Sequence, residues 1–448
     1  MPIPASAHGR DTYNLDRAHV FHSWSAQGAL DPLVIDHSEG SFLFDADGKR
    51  FIDFSSQLVY TNIGHQHPKV VAAIQEQAAK LCTIAPAHAN DKRSQAAQKI
   101  TSHLPEGFNK ILFTNGGADA VEHAIRMARL HTGRYKVLSQ FRGYHGATQT
   151  AMNISGDNRR WPSDYGNSGA VHFFGPFLYR SAYNATTEQE ECERALTHLE
   201  NLIRFEGPEA FAAIILETIP GTAGFMPPPP GFLAGVRELC DKYGMVMILD
   251  EVMMGFGRTG KWFALDHYGV KPDLVTFAKG VNSGYVPMGG VAISDEIVET
   301  FNERVYPGGL TYSGHPLAAA ASVATLEAME DEGIVENAER LGREVFAPAF
   351  EEMQKKHPSI GDVRGLGCFW ALDLVVNRET KEELCPYGTV GPKVKAVLAE
   401  CSKNGLLVFN NMHRLHITPA LNIPDEVAKE GLAILDAALD IADSFYEG

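Results

Sequence analysis

Residues Met245–Lys279 read MVMILDEVMMGFGRTGKWFALDHYGVKPDLVTFAK. An apolar run, Met245 to Leu249, ends abruptly on two carboxylates, Asp250 and Glu251. A second run, Leu274 to Ala278, ends on Lys279. Short apolar runs rich in Val, Ile and Leu and bounded by turn residues read as buried strands of a parallel sheet. In open α/β sheets ligands bind outside the carboxyl ends of the strands. Asp250 and Lys279 therefore stand where a ligand would sit, and burying either side chain is costly unless something pairs with it.

A pyridine-based cofactor needs both groups. Pyridoxal phosphate is held by a lysine Schiff base, with an acidic partner for its ring nitrogen. A structural Asp–Lys ion pair at neighbouring strand ends is the other reading of the same two residues. The stretch also contains Gly255, Gly257 and Gly260, which satisfy the dinucleotide pattern G-x-G-x-x-G and point to a nicotinamide-dependent oxidoreductase. That pattern should follow its strand at once and open a helix. Here Glu251 to Met254 intervene, KWFALDHYGVKPD offers no amphipathic helix start, and Asp273 precedes a strand instead of ending one. The glycines read as a loop.

At 448 residues the chain has room for one large domain and a smaller one. Its 44% apolar and 21% charged content fits a soluble globular protein. A formal net charge of -16 argues against nucleic acid and anionic membranes as partners. Cys82, Cys192, Cys240, Cys368, Cys385 and Cys401 form no C-x-x-C pair, which favours free thiols in a reducing compartment. The opening MPIPASAHGRDTYNLD lacks an apolar signal region, and no run reaches the length of a membrane span. The expected location is cytoplasmic.

Taken in order, residues up to about Arg17 read as a loose arm. GSFLFDADGKRFIDF, Gly40 to Phe54, is a hairpin with Asp47-Gly48 at its tip. A helix runs from Pro68 to about Leu81, with Pro68 suited to its first turn. His65 and His67 have no third ligand at a recognisable spacing and read as loop residues. Asp91 is placed as the cap of a helix that Pro105 ends.

Strand and helix then alternate. Lys110–Thr114 is a strand, NGGAD (Asn115–Asp119) a tight turn, and Ala120–His131 a helix. Such a turn presents free N–H groups to an anion, with Gly117 and Ala118 as phosphate candidates. Lys136–Ser139 is a strand that runs into FRGYHGAT, where Tyr144 is placed to lie on a flat ligand or to serve as a core aromatic. Phe211–Leu216 is a strand ending on Glu217. Leu233–Tyr243 is a helix, GGVAI a short strand, and Leu317 to about Glu330 an Ala-rich helix. Beyond Gly333, helices alternate with short strands in GCFWALDLV, GLLVFN and HRLHITPAL. A final amphipathic helix, Pro424–Tyr446, is placed with Asp425 as its cap.

With these pieces in place the sequence resembles the class III aminotransferases, in particular the ω-amino acid and amine:pyruvate group. The resemblance runs from about Trp24 to Leu421. Its most specific segment is ILDEVMMGFGRTGKWFALDHYGVKPDLVTFAKG; NIGHQHP, NGGADAVE, YHG and TYSGHP are weaker matches. It implies an α/β protein of fold type I: a large domain with a central, mostly parallel sheet, plus a smaller discontinuous α+β domain. The expected division is 1–60 (arm and hairpin, part of the small domain), 61–325 (large, cofactor-binding) and 326–448 (C-terminal small domain).

The cofactor implied is pyridoxal 5'-phosphate. Lys279 resembles the Schiff-base lysine and Asp250 the ring-nitrogen partner. Val252 resembles the residue behind the ring and Tyr144 the one stacked in front. Gly117 and Ala118 fall where the family binds phosphate, although the family more often has Ser at the second position, and Asp119 replaces a usual Glu. Thr311 matches a threonine supplied to the neighbouring subunit's phosphate, which implies a homodimer, or a tetramer of such dimers, with shared active sites. Glu217 aligns with an acid near the cofactor's oxygen edge. Many relatives carry a carboxylate-clamping arginine where this chain has Phe409 or Asn410. Arg414 either substitutes for it or is an ordinary surface arginine. Trp24, Val59, Tyr60 and Trp161 are pocket walls by analogy.

The activity implied is ping-pong transfer of an amino group through Lys279, from an amine or ω-amino acid donor (taurine-like compounds included) to a keto acid, with pyruvate the expected acceptor. An aminomutase or a decarboxylase using the same Lys and Asp, the nicotinamide enzyme above, and a non-catalytic binding protein are the alternatives.

Overall fold

The computed structural model describes residues 3–164, 166 and 169–448. The two apolar runs of the opening stretch form adjacent parallel strands, Val246–Asp250 and Leu274–Phe277, every residue of both being buried. Ile248 lies opposite Leu274 and Asp250 opposite Thr276. They are central members of a seven-stranded sheet ordered Phe108–Thr114, Gly289–Ser294, Leu274–Phe277, Val246–Asp250, Phe211–Glu217, Lys136–Gln140, Ala170–Phe173. The Gly289–Ser294 strand runs antiparallel to both neighbours, and the other pairs are parallel. The architecture is therefore α/β with a mostly parallel sheet.

Burial on both faces explains the near-continuous hydrophobicity of these strands. On one side, the helix Gly117–Thr132 lays Val121, Ala124, Ile125 and Ala128 against Ile215, Ile248 and Leu274. The Ala-rich helix Pro316–Asp331 is buried nearly all round, and its small side chains admit the helices Pro68–Lys80 and Asp91–Ser102 and the turn at Lys279–Asn282.

Two smaller sheets hold the rest. The hairpin Phe42–Asp45 and Arg50–Asp53 turns at Asp47-Gly48, pairs with Ile35–Glu39, and takes Leu406–Leu407 as a parallel fourth strand. Ile360–Leu366, Phe369–Asn377, Arg414–Ile417 and Phe409–Asn411 form an antiparallel sheet, with Glu382–Glu383 on its side.

Four local expectations are corrected. The opening segment is not a loose arm: Ala7–His19 is a helix capped by Ser6, and Asp47 at the hairpin tip accepts from the Ala5 and Ser6 N–H groups. The cap of the Asp91–Ser102 helix is Asn90, whose side chain accepts from Arg93 N at 2.9 Å. The helix after NGGAD begins at Gly117. Asp425 is the first residue inside the last helix, where it pairs with Arg340, and Pro424 occupies the cap position. No helix among the described residues is long and apolar enough to cross a membrane.

Candidate active site

The carboxyl ends of the strands open onto a cavity of about 540 Å³, within the range usual for small-molecule sites. Asp250 and Glu217 end neighbouring strands and lie opposite each other in register. Lys279 follows the next strand at φ +47, a left-handed conformation unusual for a lysine. Gly117 and Ala118 come from the first turn of a helix that no side chain caps. Tyr144, Val252, Tyr60, Met253 and Thr222 are also on the wall.

The chemistry of these groups follows from their surroundings. Asp250 is 3% exposed, with one oxygen 2.7 Å from His145 Nδ1 and the other accepting Val252 N–H at 3.0 Å. The carboxylate is fixed in direction, as the partner of a pyridine nitrogen must be. Glu217 accepts from Tyr144 N and Gly221 N, each at 2.9 Å, and so ties two loops to the sheet end. Burial raises its pKa, helped by Asp250 and opposed by His145. Among the described residues the Lys279 side chain makes no hydrogen bond or ion pair, and it faces the cavity. Burial pulls its amine from 10.5 to about 8; Glu217 and Asp250 oppose that change, while Arg159 and Arg258 add to it.

The donor set fits pyridoxal phosphate. A lysine whose side chain has no partner among the described residues, an oriented carboxylate and the free N–H groups of an uncapped helix end converge on one space. The last of these suit a phosphate through their orphan donors and the helix dipole. Gly117 is needed there, because a Cβ would stand 2.8 Å from Val252 Cγ1.

Other expected residues lie elsewhere in the chain. Thr311 is exposed on a turn outside the cavity, and Trp24 is 66% exposed. Trp161 is 59% exposed, with its ring 6.0 Å from that of Tyr387. Val59 is buried in a cluster with Ile219, Phe225 and Met254. Arg414 is not a surface residue: it is 3% exposed, its Cδ 2.5 Å from where a Gly224 Cβ would stand. His65 and His67 pair with Asp53 and Glu332.

Two site residues escaped the sequence reading. His145 braces Asp250, a role the adjacent Tyr144 masked. Arg159 lays its guanidinium 3.6 Å from the Tyr144 ring centroid, with Nε 2.6 Å from Asp157 and Nη2 buried without a partner among the described residues. The only signal for it was a charged run, Asp157 to Arg160. Gly255–Gly260 form a loop whose Phe256 N–H and Gly257 N–H return to Trp262 O. Glu251 accepts from Thr218, Ala264 and Leu265 and fastens this loop to the sheet.

Comparison with known proteins agrees with this geometry. The class III aminotransferase family matches residues 24–439. A 5-aminovalerate aminotransferase of Pseudomonas putida is 34% identical, over 91% of this chain and 94% of its own. A hypotaurine/taurine–pyruvate aminotransferase of Paracoccus denitrificans is also 34% identical, over 91% and 92%. The crystal structure of a taurine:2-oxoglutarate aminotransferase from Bifidobacterium kashiwanohense, in complex with PLP and glutamate, superposes with a TM-score of 0.94 at 41% identity, covering 97% of this chain and 98% of that one. The chain belongs to the class III aminotransferases. It has their fold type I architecture and transfers an amino group from an amine to a keto acid; neither the mutase and decarboxylase alternatives nor the nicotinamide one is favoured.

Proposed function

We propose that Lys279 binds pyridoxal phosphate covalently, and that the donor is an ω-amino acid or ω-aminosulfonate with pyruvate as acceptor. The observation that carries this is the convergence of Lys279 and the His145-braced Asp250 on one cavity lined by Tyr144, whose ring Arg159 covers. When bound, the cofactor supplies an electron sink for the carbon that loses its proton.

The residues do the remainder. Lys279 Nζ takes a proton from the donor's amine-bearing carbon and later returns one. Its pKa of about 8 leaves a useful neutral fraction near neutrality. Asp250, oriented by His145 and Val252 N–H, holds the ring-nitrogen proton. Gly117 N–H and Ala118 N–H hold the phosphate, Val252 and Tyr144 flank the ring, and Glu217 keeps the Tyr144 loop in place. Arg159, its guanidinium on the Tyr144 ring, braces that ring against the cavity.

Tyr60 forms part of the substrate wall, with Arg414 acting from behind the Gly224 turn. Thr311, Trp24 and Trp161 complete the site in a homodimer whose copies share it. The division 1–60, 61–325 and 326–448 and a cytoplasmic location belong to the same proposal. Its support is the acid common to the relatives' substrates: 5-aminovalerate and taurine each carry an amine at one end and an acid at the other.

The test pairs Lys279→Ala with a donor and acceptor screen. The variant should lose turnover and the long-wavelength absorbance of the loaded enzyme. Retention of both means that another residue holds the cofactor. ω-Amino acids and taurine should outrun simple arylalkyl amines, and pyruvate should outrun 2-oxoglutarate. The reverse order in either series rejects that part of the reading.

A further inference from the structure

Arg258 is the largest fully buried side chain among the described residues, at 0% exposure. It forms no ion pair with a carboxylate among the described residues. Its partners are neutral: Cys368 O at 3.1 Å, Pro419 O, Asn62 Oδ1 at 2.7 Å and Ser56 Oγ at 3.4 Å. Nε is buried with no acceptor among the described residues. Burial draws the guanidinium down to about 10, with Asp53 and Cys368 opposing that only through space. A chain that needed only packing here would do better with an apolar side chain, because a buried cation without a counter-charge carries a large desolvation cost.

What the cation holds is Asn62. Asn62 is fixed at three points: its side-chain Oδ1 by Arg258, its Nδ2 by Phe256 O at 2.7 Å, and its main-chain carbonyl by Leu421 N–H at 2.7 Å. The amide presses on the residue after the lysine: Asn62 Nδ2 is 2.4 Å from where a Gly280 Cβ would stand. The next residue along, Ile63, donates its N–H to Ser283 Oγ at 3.1 Å, at the far end of the same turn. Lys279 therefore opens, in a left-handed conformation, a short turn that Asn62 and Ile63 flank. A non-glycine residue at φ +47 persists only where its surroundings over-determine it.

We propose that Arg258 and Asn62 are positioning residues for Lys279: the guanidinium clamps the Asn62 amide against Gly280, and that contact holds the turn that aims the lysine into the cavity. The proposal rests on Lys279 being the cofactor lysine. Charge acts in the same direction as geometry. Lys279 feels Glu217 and Asp250, which favour its ammonium form, and Arg159 and Arg258, which disfavour it. Arg159 is paired with Asp157, whereas Arg258 has no such partner, so its positive field at the lysine is not locally cancelled.

The test uses the full-length, cofactor-loaded enzyme and three variants: Asn62→Ala, Gly280→Ala and the two combined. Arg258→Met is added where it folds, and Asn62→Ala keeps the proposal testable if it does not. Four quantities are read: melting temperature, kcat against KM, the pH midpoint of the long-wavelength absorbance, and the residue trapped by borohydride, found by peptide mass spectrometry. Each single variant should melt within a few degrees of wild type and still be trapped at Lys279. Each should lose kcat on the order of ten- to a hundredfold with KM nearly unchanged, as misplacement of a reacting group predicts. The absorbance midpoint should move in Asn62→Ala and rise in Arg258→Met. The double variant should lose no more than the worse single, because both break one contact. Wild-type kcat and midpoint in Asn62→Ala, or losses that add in the double variant, overturn the proposal. Trapping of wild type at a residue other than Lys279 would instead overturn the cofactor assignment, so the two failures are distinct.

Discussion

Replacing Lys279 by methionine removes the charge and nearly keeps the side-chain volume, and it should stabilise the cofactor-free enzyme. The enclosed ammonium has its pKa drawn from 10.5 to about 8. That gap of about 2.5 pH units, at about 1.36 kcal/mol each, is on the order of 3 kcal/mol against folding while the amine stays protonated in both states. At about 2.1 cal/mol/K per residue the unfolding entropy of a chain this long is roughly 0.9 kcal/mol/K, so the gain amounts to about 3 °C.

The sign with pH follows from linkage. A lysine whose folded pKa lies below its unfolded one costs its full amount below pH 8. The cost fades between 8 and 10.5, where only the unfolded chain keeps the proton. Thermal unfolding of cofactor-free wild type and Lys279→Met at pH 7 and pH 9.5 checks this, the difference falling to less than half at the higher pH. A variant that melts no higher at pH 7, or an equal gap at both pH values, refutes the reasoning, because Lys279 would then not be a desolvated cation.

The same amine should govern the rate: with donor in excess, kcat should rise with pH and level off above about 8, read from initial rates across pH 6 to 10. Asp250→Asn should still bind cofactor yet lose on the order of a hundredfold or more in kcat, with His145→Ala losing less because it acts through Asp250; stopped-flow single turnovers separate the two. Glu251→Ala strands the Ala264 and Leu265 N–H groups and the Thr218 hydroxyl, a loss of about 2–4 kcal/mol visible in denaturant unfolding. Gly117→Val, whose side chain would collide with Val252, should weaken cofactor affinity by at least tenfold in equilibrium dialysis, with the melting curve of the cofactor-free enzyme little changed.

Much of the large sheet was legible because its strands are apolar runs that stop on chemistry-bearing residues. Asp250, Glu217 and Lys279 all sit at or just past a strand end in the structure, as the runs require. Less visible were contacts between segments distant in the chain. Arg159 reaches Tyr144 from a short turn, and Arg258 reaches Asn62 across the core; neither leaves a periodic trace. The Ala7–His19 helix was missed because it buries almost nothing, so its sequence has no apolar stripe to read. The two misplaced caps have a simpler cause: Asn90 and Asp91 are neighbouring residues of equally good capping type, as Pro424 and Asp425 are both at home at a helix start.

The antiparallel strand Gly289–Ser294 lies directly beside Leu274–Phe277, with Phe277 opposite Gly290. The chain that leaves one strand just ahead of Lys279 is thus stitched back into the sheet at its neighbour, and the lysine's main chain is anchored at both exits. Travel of the amine falls to its flexible four-carbon stem, hopping among staggered torsions. With Lys279 as the cofactor lysine, the reach of its amine is a matter of stem torsions and not of main-chain movement.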